Sequence, residues 1–251
     1  MLTARQKSIL ELIQDDQLVT VDVLSAQLKV SEATIRRDLV SLEREGLVNR
    51  TWGGAIPVAG VGFEPFVHER STYFQEEKQA IARAAVELIE EGDVIALDVG
   101  STCMELAKLL DRFKRITVFT NSLLTAQILG GFSFTVHLIG GRLRPGEFSM
   151  VGPIARETTS RFNYDKFFMG IAGLHLENGP TDFNLDDVEV KQSFLKQAKR
   201  RIALLDHSKI GQVSLASICH ISDLTDVITD SAVPESEVGI LEEQGVRVTR
   251  G

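Results

Sequence analysis

Two cysteines, Cys103 and Cys219, are all the chain holds in 251 residues. They stand far apart and outside any CxxC or Cys/His spacing. This argues against a disulfide framework and a zinc site and leaves both thiols as small apolar residues in or near a core. The 5 histidines form no HExxH-like pair, which removes a zinc-dependent hydrolase from consideration. No window approaches the roughly 18 to 20 consecutive apolar residues of a membrane-spanning helix. The start "MLTARQKSIL" lacks the apolar run of a signal peptide, so the expectation is a cytoplasmic protein with no membrane partner and no cofactor. There is no low-complexity tract and no repeat of fixed period. Basic charge is in deficit, with 27 Lys and Arg against 35 Asp and Glu.

That deficit is uneven. Residues 1–58 carry seven basic and eight acidic side chains, so nearly all of the net charge of −8 falls on the remainder. An acidic bulk repels nucleic acid at long range, and any DNA contact must come from locally placed cations.

The first sixty residues offer such a place. In "TARQKSILELIQ", Ile9, Leu12 and Ile13, with Leu2 upstream, have the spacing of a one-sided surface helix. Thr20 suits the N-cap of a second short helix burying Val21, Leu24 and Leu28. Lys29 and Val30 break it before Ser31 caps a third. Short helices joined by a three-to-four-residue turn are a helix-turn-helix. On the third, Ile35, Leu39 and Leu42 fall on one side, while Ala33, Thr34, Arg36, Arg37, Ser41 and Arg44 fall outside that stripe. Small residues at the start let the backbone approach a major groove, and arginines suit guanine edges or phosphates. Ser31, with the helix N-terminus behind it, offers backbone donors to a phosphate. The competing reading of Arg36 and Arg37 is a solvated face paired with Glu32, Asp38 or Glu43. After Gly46, "LVNRTWGGAIPV" reads as strand, glycine turn and strand, a wing with Arg50 and Trp52 near its tip.

The run "SEATIRRDLVSLEREGLVNRTWGGA" resembles the winged helix-turn-helix of the DeoR family of bacterial transcription regulators. The matching residues are Ser31, Thr34, Ile35, Arg36, Arg37, Asp38, Leu39, Gly46, Leu47, Arg50, Gly53, Gly54 and Ala55. Trp52 departs from the family, which more often carries His or Tyr there. The resemblance implies double-stranded operator DNA as a partner, contacted through Ser31, Ala33, Thr34, Arg36, Arg37, Arg50 and Trp52.

Residues 58–75, Pro- and Gly-rich at their start, read as a connector between a DNA-binding domain at 1–57 and a larger domain at 76–251. The larger domain opens on a helix through Ala80, Ile81, Ala84, Ala85, Leu88 and Ile89. Six buried-strand runs follow: "DVIALDVG", "RITVFTNS", "FTVHLIGG", "DKFFMGIAGL", "RIALLDHSKIG" and "DVITD". Each ends in small or polar residues, and the first two run into helices, so the expected fold is α/β with a mostly parallel sheet. Ligands bind such sheets outside the carboxyl ends of the strands. Gly100, Ser101 and Thr102 precede one helix there, and Thr120, Asn121 and Ser122 another. Both offer backbone N–H groups and hydroxyls to an oxyanion such as phosphate. Gly140, Gly141 and Arg142 add a third close approach with a cation. Lys191 and Lys209 can neutralise the anion, although the helix of Lys191 carries other lysines that suit a solvated face. Asp98 and Asp206 can hold sugar hydroxyls. Taken singly, each loop is equally well read as ordinary turn and cap chemistry.

The resemblance continues through "LDVGST", "VFTNS", "LIGG", "GIAGL", "LDHSKIG" and "VITD", covering almost the whole chain. It implies an effector domain similar in fold to ribose-5-phosphate isomerase that senses phosphorylated sugars or polyols. By that likeness Asp98, Gly100, Ser101, Thr102, Thr120, Asn121, Ser122, Lys191, Asp206 and Lys209 become effector contacts. "DHSK" points toward regulators of glycerol-3-phosphate metabolism without fixing the ligand. The function implied is a repressor of a carbohydrate or polyol catabolic operon, at least dimeric, released by its effector, and not an enzyme. The alternative is an isomerase-like phosphosugar enzyme fused to a DNA-binding domain. Its clearest candidate triad, Asp206, His207 and Ser208, consists of consecutive residues, which do not ordinarily meet at one reacting atom.

Overall fold

A computed structural model of the chain describes residues 2–13, 19–44, 47–51, 53–57 and 64–251. It divides into two compact units, Met1–Gly60 with Thr72–Phe74, and Val61–Ser71 with Gln75–Gly251.

In the first unit α1 (Ala4–Ile13) is followed by β1 (Val19–Thr20), α2 (Val21–Leu28) and α3 (Glu32–Arg44), then by β2 (Val48–Thr51) and β3 (Gly54–Pro57). Thr20 stands at the N-cap of α2, and Lys29 closes it in the left-handed region at φ 54°. Ser31 caps α3 by accepting the Thr34 amide at 3.3 Å on its hydroxyl. The apolar stripe of α3, Ile35, Leu39 and Leu42, packs with Ile9 and Ile13 of α1, Val21 and Leu24 of α2, and Val48 and Ala55 of the wing. Arg5 of α1 pairs with the buried Asp38 of α3, so that acid is used internally and not by the neighbouring arginines. Beyond the expected hairpin, β1 joins β3 as a third strand.

The second unit begins with α4 (Val67–Arg70) and α5 (Gln75–Val86). It continues through β4 (Val94–Leu97), α6 (Ser101–Lys108), β5 (Thr117–Thr120), α7 (Leu123–Leu129), β6 (Thr135–Leu138), β7 (Arg142–Arg144), β8 (Ser149–Val151), α8 (Pro153–Thr159) and β9 (Tyr164–Gly170). Then come β10 (Gly173–His175), β11 (Gly179–Asp182), α9 (Leu185–Gln197), β12 (Ala198–Leu204), β13 (Ala216–Ser217), β14 (Asp226–Thr229), α10 (Glu235–Glu243) and β15 (Arg247–Arg250). Among the described residues seven strands form one sheet in the order β15-β14-β12-β9-β4-β5-β6, and every pairing in it is parallel.

Alternation along the strands gives this sheet two cores. Ala96, Phe167, Met169 and Ala203 face α8, α9 and α10 through Ala155, Phe194 and Leu241. Ile95, Leu97, Phe168, Ile202 and Leu204 face α5, α6 and α7 through Ile81, Leu106 and Leu129. A sheet covered on both faces must use apolar residues at successive positions, hence the near-continuous runs in the sequence. The chain lays down β4, β5 and β6 in one direction, then returns to β9 on the other side of β4 and proceeds outward through β12, β14 and β15. The order therefore reverses between β4 and β9, and the crevice at their carboxyl ends is the natural ligand position.

Two expectations need amendment. Residues 64–71, read as part of the connector, pack into the second unit: Val67 is buried, Arg70 pairs with Glu147, and Glu64 accepts from Arg144 at 2.7 Å. The sheet also has a seventh strand, β15, where six were expected. It is a charged, largely exposed edge with no continuous apolar run.

Candidate functional site

On α3 the residues Ser31, Ala33, Arg36 and Arg37 are exposed and Thr34 is half-buried. Arg36 meets Glu32 one turn earlier at 3.2 Å, with both side chains more than half exposed, and Arg37 donates from Nε to the Ala33 carbonyl at 3.3 Å. Such exposed pairs are worth about 0 to 1 kcal/mol and exchange readily for another anion. Trp52, Gly46 and the side chains of Arg44 and Arg50 lie outside the described residues.

In the second unit, Asp98 and Lys191 meet at the reversal between β4 and β9. The Lys191 ammonium pairs with the Asp98 carboxylate, lies 3.1 Å from Asp182, and donates to the Gly170 carbonyl at 2.9 Å. Asp98 in turn accepts the Gly170 amide at 3.1 Å. Lys191 is thus buried, unlike Lys196 on the same helix, so the solvated-face reading of Lys191 is corrected. Burial works to lower its pKa, but Asp98 and Asp182 override it and hold the ammonium above lysine's ordinary value. Burial pushes the Asp98 carboxyl up to about 6 against the pull of Lys191.

The flanking loops supply donors. Gly100 adopts φ 111° immediately before α6, a conformation suited to glycine. A side chain built there would meet no described atom within 4 Å, although Gly100, Ser101 and Thr102 are themselves buried. At the end of β5 the polar groups are partly committed. The Thr120 hydroxyl accepts the Ser122 amide at 3.1 Å, and the Ser122 hydroxyl caps α7 by accepting the Thr125 amide at 3.1 Å. The Asn121 main-chain carbonyl accepts the Met150 amide at 2.7 Å, and among the described residues the buried Asn121 Oδ1 meets no donor.

Gly140 and Gly141 are exposed, and Arg142 points to solvent, where it meets Asp186 at 2.5 Å. No contact joins these three to the Asp98–Lys191 pair among the described residues. Asp206 is buried and accepts from the amide of Ser208 at 3.1 Å and from its hydroxyl, with Lys209 at the end of the same short turn. His207 turns instead toward Asp230, with Nδ1 at 3.2 Å, so Asp206, His207 and Ser208 do not form a proton relay. Burial pushes both thiols up, that of Cys219 to about 12, and Cys103 lies in the core as expected of a small apolar residue.

Several ionisable residues near these groups were not singled out in the sequence. Asp182 and Asp187 lie just before Lys191 in the chain, and their placement beside it could have been suspected from "TDFNLDDVEVK" alone. Lys78 on α5 had no such signal. It is buried, donates to the Arg70 carbonyl, and lies within electrostatic reach of Asp206, Lys209 and Glu105. Burial pulls its pKa down to about 8. Among the described residues no group of His, Cys, Asp and Glu is arranged to hold a metal, and no helix is long and apolar enough to cross a membrane.

Comparison with known proteins gives two family matches, the DeoR-like helix-turn-helix domain over residues 5–59 and the DeoR C terminal sensor domain over residues 74–231. The chain is 36% identical over 247 residues to the HTH-type transcriptional regulator GlpR of Haloferax volcanii, covering 98% of this chain and 97% of that protein. It is 34% identical to the HTH-type transcriptional regulator GolR of Listeria innocua, with 97% and 96% covered. To the glycerol-3-phosphate regulon repressor of Escherichia coli it is 29% identical, with 98% of each covered. Among solved structures, ribose 5-phosphate isomerase A of Methanocaldococcus jannaschii is similar at a TM-score of 0.40 and 16% identity, with 54% of each chain covered.

Proposed function

Because the chain belongs to the DeoR family of transcriptional regulators, we propose that it represses an operon of carbohydrate or polyol catabolism and is released from its operator by a phosphorylated sugar or polyol. In this reading residues 1–57 bind DNA and 76–251, joined by the 64–71 segment that packs with them, sense the effector and hold a homo-oligomer. Symmetric half-sites require at least a dimer. Ser31, Ala33, Thr34, Arg36 and Arg37 contact the duplex, with Arg50 and Trp52 on the wing. The effector's phosphate is taken by the backbone donors around Gly100, Ser101 and Thr102 and around Thr120, Asn121 and Ser122, with Lys191 and Lys209 supplying charge. Asp98 and Asp206 accept from its hydroxyls, and Gly140, Gly141 and Arg142 border the site.

The observation that carries the reading is the buried Asp98–Lys191 pair at the strand-order reversal, beside a helix N-terminus where a side chain built at Gly100 would meet no described atom. A pair so placed holds a carboxylate for hydroxyls and a cation for an oxyanion side by side. The relatives named for glycerol-3-phosphate and for transcriptional regulation support the same class of ligand and role.

Release is a coupling free energy. The effector must favour the DNA-incompetent arrangement, typically by about 1 to 3 kcal/mol. The test is a gel-retardation titration of the protein on DNA from upstream of its own gene with a panel of sugar and polyol phosphates, each compound also assayed for turnover. Loss of the retarded band with one unchanged compound is expected. A band that no compound disturbs, or chemical conversion of the compound, overturns the reading.

A further inference from the structure

Residues 64–71 fall between the two family matches, which end at 59 and resume at 74. In the structure this segment is fastened to the turn of the β7–β8 hairpin. Arg144 on β7 donates to Glu64 at 2.7 and 3.2 Å and reaches Asp187 at 2.5 Å. Arg70 pairs with Glu147 in the hairpin turn, lies 3.4 Å from Glu64, and donates from Nε to the Pro65 carbonyl at 3.1 Å. The Phe66 ring covers Gly146 so closely that a side chain there would fall 2.6 Å from it. The Val67 amide donates to the Gly146 carbonyl at 3.4 Å.

The same hairpin is bonded on its other side to the strand-end loop. The Asn121 carbonyl accepts the Met150 amide at 2.7 Å, and the Phe148 carbonyl accepts the Leu123 amide at 2.9 Å. Its Arg144 is also tied to the crevice by charge, because Asp187, which holds that guanidinium, feels the field of Lys191.

We infer that the β7–β8 hairpin is the coupling element between effector and DNA: it clasps residues 64–71, and an anion arriving beside Lys191 and the 120–122 loop redistributes the charges that keep the clasp shut. The inference rests on the proposed effector reading and adds to it the regulatory route.

The physics favours a two-state clasp. Six charged groups, Glu64, Arg70, Arg144, Glu147, Asp187 and Lys191, share a poorly solvated space, where removing or redirecting one charge costs far more than at a surface. The network is incompletely satisfied, since among the described residues the buried Arg144 Nε meets no acceptor. Burial also pushes the Glu147 carboxyl up, against the pull of Arg70. The segment so held leads through residues 72–74, which count with the DNA-binding unit. Freeing or fixing it therefore alters the covalent path between the two functions.

The experiment uses the full-length chain and two variants of the segment, Glu64→Gln, which keeps shape and drops charge, and Phe66→Ser, which removes the cover of Gly146. Hydrogen exchange is measured with and without upstream DNA, and DNA affinity with and without glycerol 3-phosphate, fructose 1-phosphate and glucose 6-phosphate. In the wild type, DNA alone is expected to change exchange at the amides of Val67, Arg70 and Ser71 and across residues 144–150. The compound that releases DNA is expected to lower its affinity about 5- to 150-fold. In either variant the compound still binds, within about threefold by calorimetry, while that ratio falls toward one. Wild-type exchange at 67–71 and 144–150 that is indifferent to bound DNA, or a release ratio within about twofold of wild type in both variants, overturns the clasp while leaving the repressor reading intact. Failure of the wild type to bind its upstream DNA overturns both. Should Glu64→Gln fail to fold, Phe66→Ser decides, because its side chain is exposed and outside the charged network.

Discussion

Arg36 on the recognition helix and Lys191 in the strand-end crevice each meet a carboxylate, but the first pair is 56% and 55% exposed and the second 2% and 0%. At the surface, water and salt screen the attraction, so exchanging Glu32 for another anion, as the proposed DNA contact requires, costs the arginine little. In the crevice neither charge has water to fall back on, so each exists only because the other does. Under the proposed function, the first region exchanges partners and the second holds a fixed geometry for a ligand. The acidic balance of the chain fits the same division, since the DNA-binding segment is spared most of the net negative charge.

The largest test of this contrast is Lys191→Met. It leaves Asp98 charged and buried without its main partner, and chemical denaturation should show a loss of about 3 to 5 kcal/mol. The loss should be smaller at pH 5 than at pH 8, because without the lysine the folded-state pKa of Asp98 rises further above its unfolded value and protonation removes the unpaired charge. A loss below about 1 kcal/mol at pH 8 would place this pair with the surface pairs.

Lys78 comes next. Its folded-state pKa of about 8 lies below the ordinary lysine value near 10.5, so the buried charge costs stability below pH 8, and the cost fades between pH 8 and 10.5. Lys78→Met should therefore stabilise at pH 7 by up to about 3 kcal/mol, less what the lost hydrogen bond to Arg70 contributes. The difference from wild type should shrink toward pH 10.5, and a difference that grows over that range would mean the ammonium is stabilised in the fold. At the recognition helix, Arg37→Ala should leave the denaturation curve unchanged and weaken specific DNA binding by about 1 to 3 kcal/mol. Retained affinity and sequence preference would remove Arg37 from the readout. The smallest effect is expected of Glu32→Gln, which should change stability by less than about 0.5 kcal/mol. A destabilisation above about 1 kcal/mol would show the Arg36 pair to be structural.

The same contrast governs what could be read from the sequence. The stripe Ile35, Leu39, Leu42 and the six apolar runs were legible because burial on one face or two writes a local period into the chain. The strand β15, "RVTR", was not, since an exposed edge leaves no such trace. Asp98 and the Gly100 turn stood out as small and polar residues directly after a buried strand. Their partner Lys191 lies 93 residues away, and the only local feature that separates it from the exposed Lys196 is Asp187 one helical turn earlier. The clasp residues Glu64, Arg70, Arg144 and Glu147 resemble ordinary surface charges one by one, and only the return of the chain onto the hairpin makes them a network.

If effector and operator are coupled, linkage makes their mutual effect measurable from either side. The compound found to release DNA is titrated calorimetrically into the free protein and into the protein saturated with its upstream duplex. DNA should weaken the compound's affinity by the same factor by which the compound weakens DNA binding, about 5- to 150-fold. Equal affinity for the compound in both titrations would contradict that coupling.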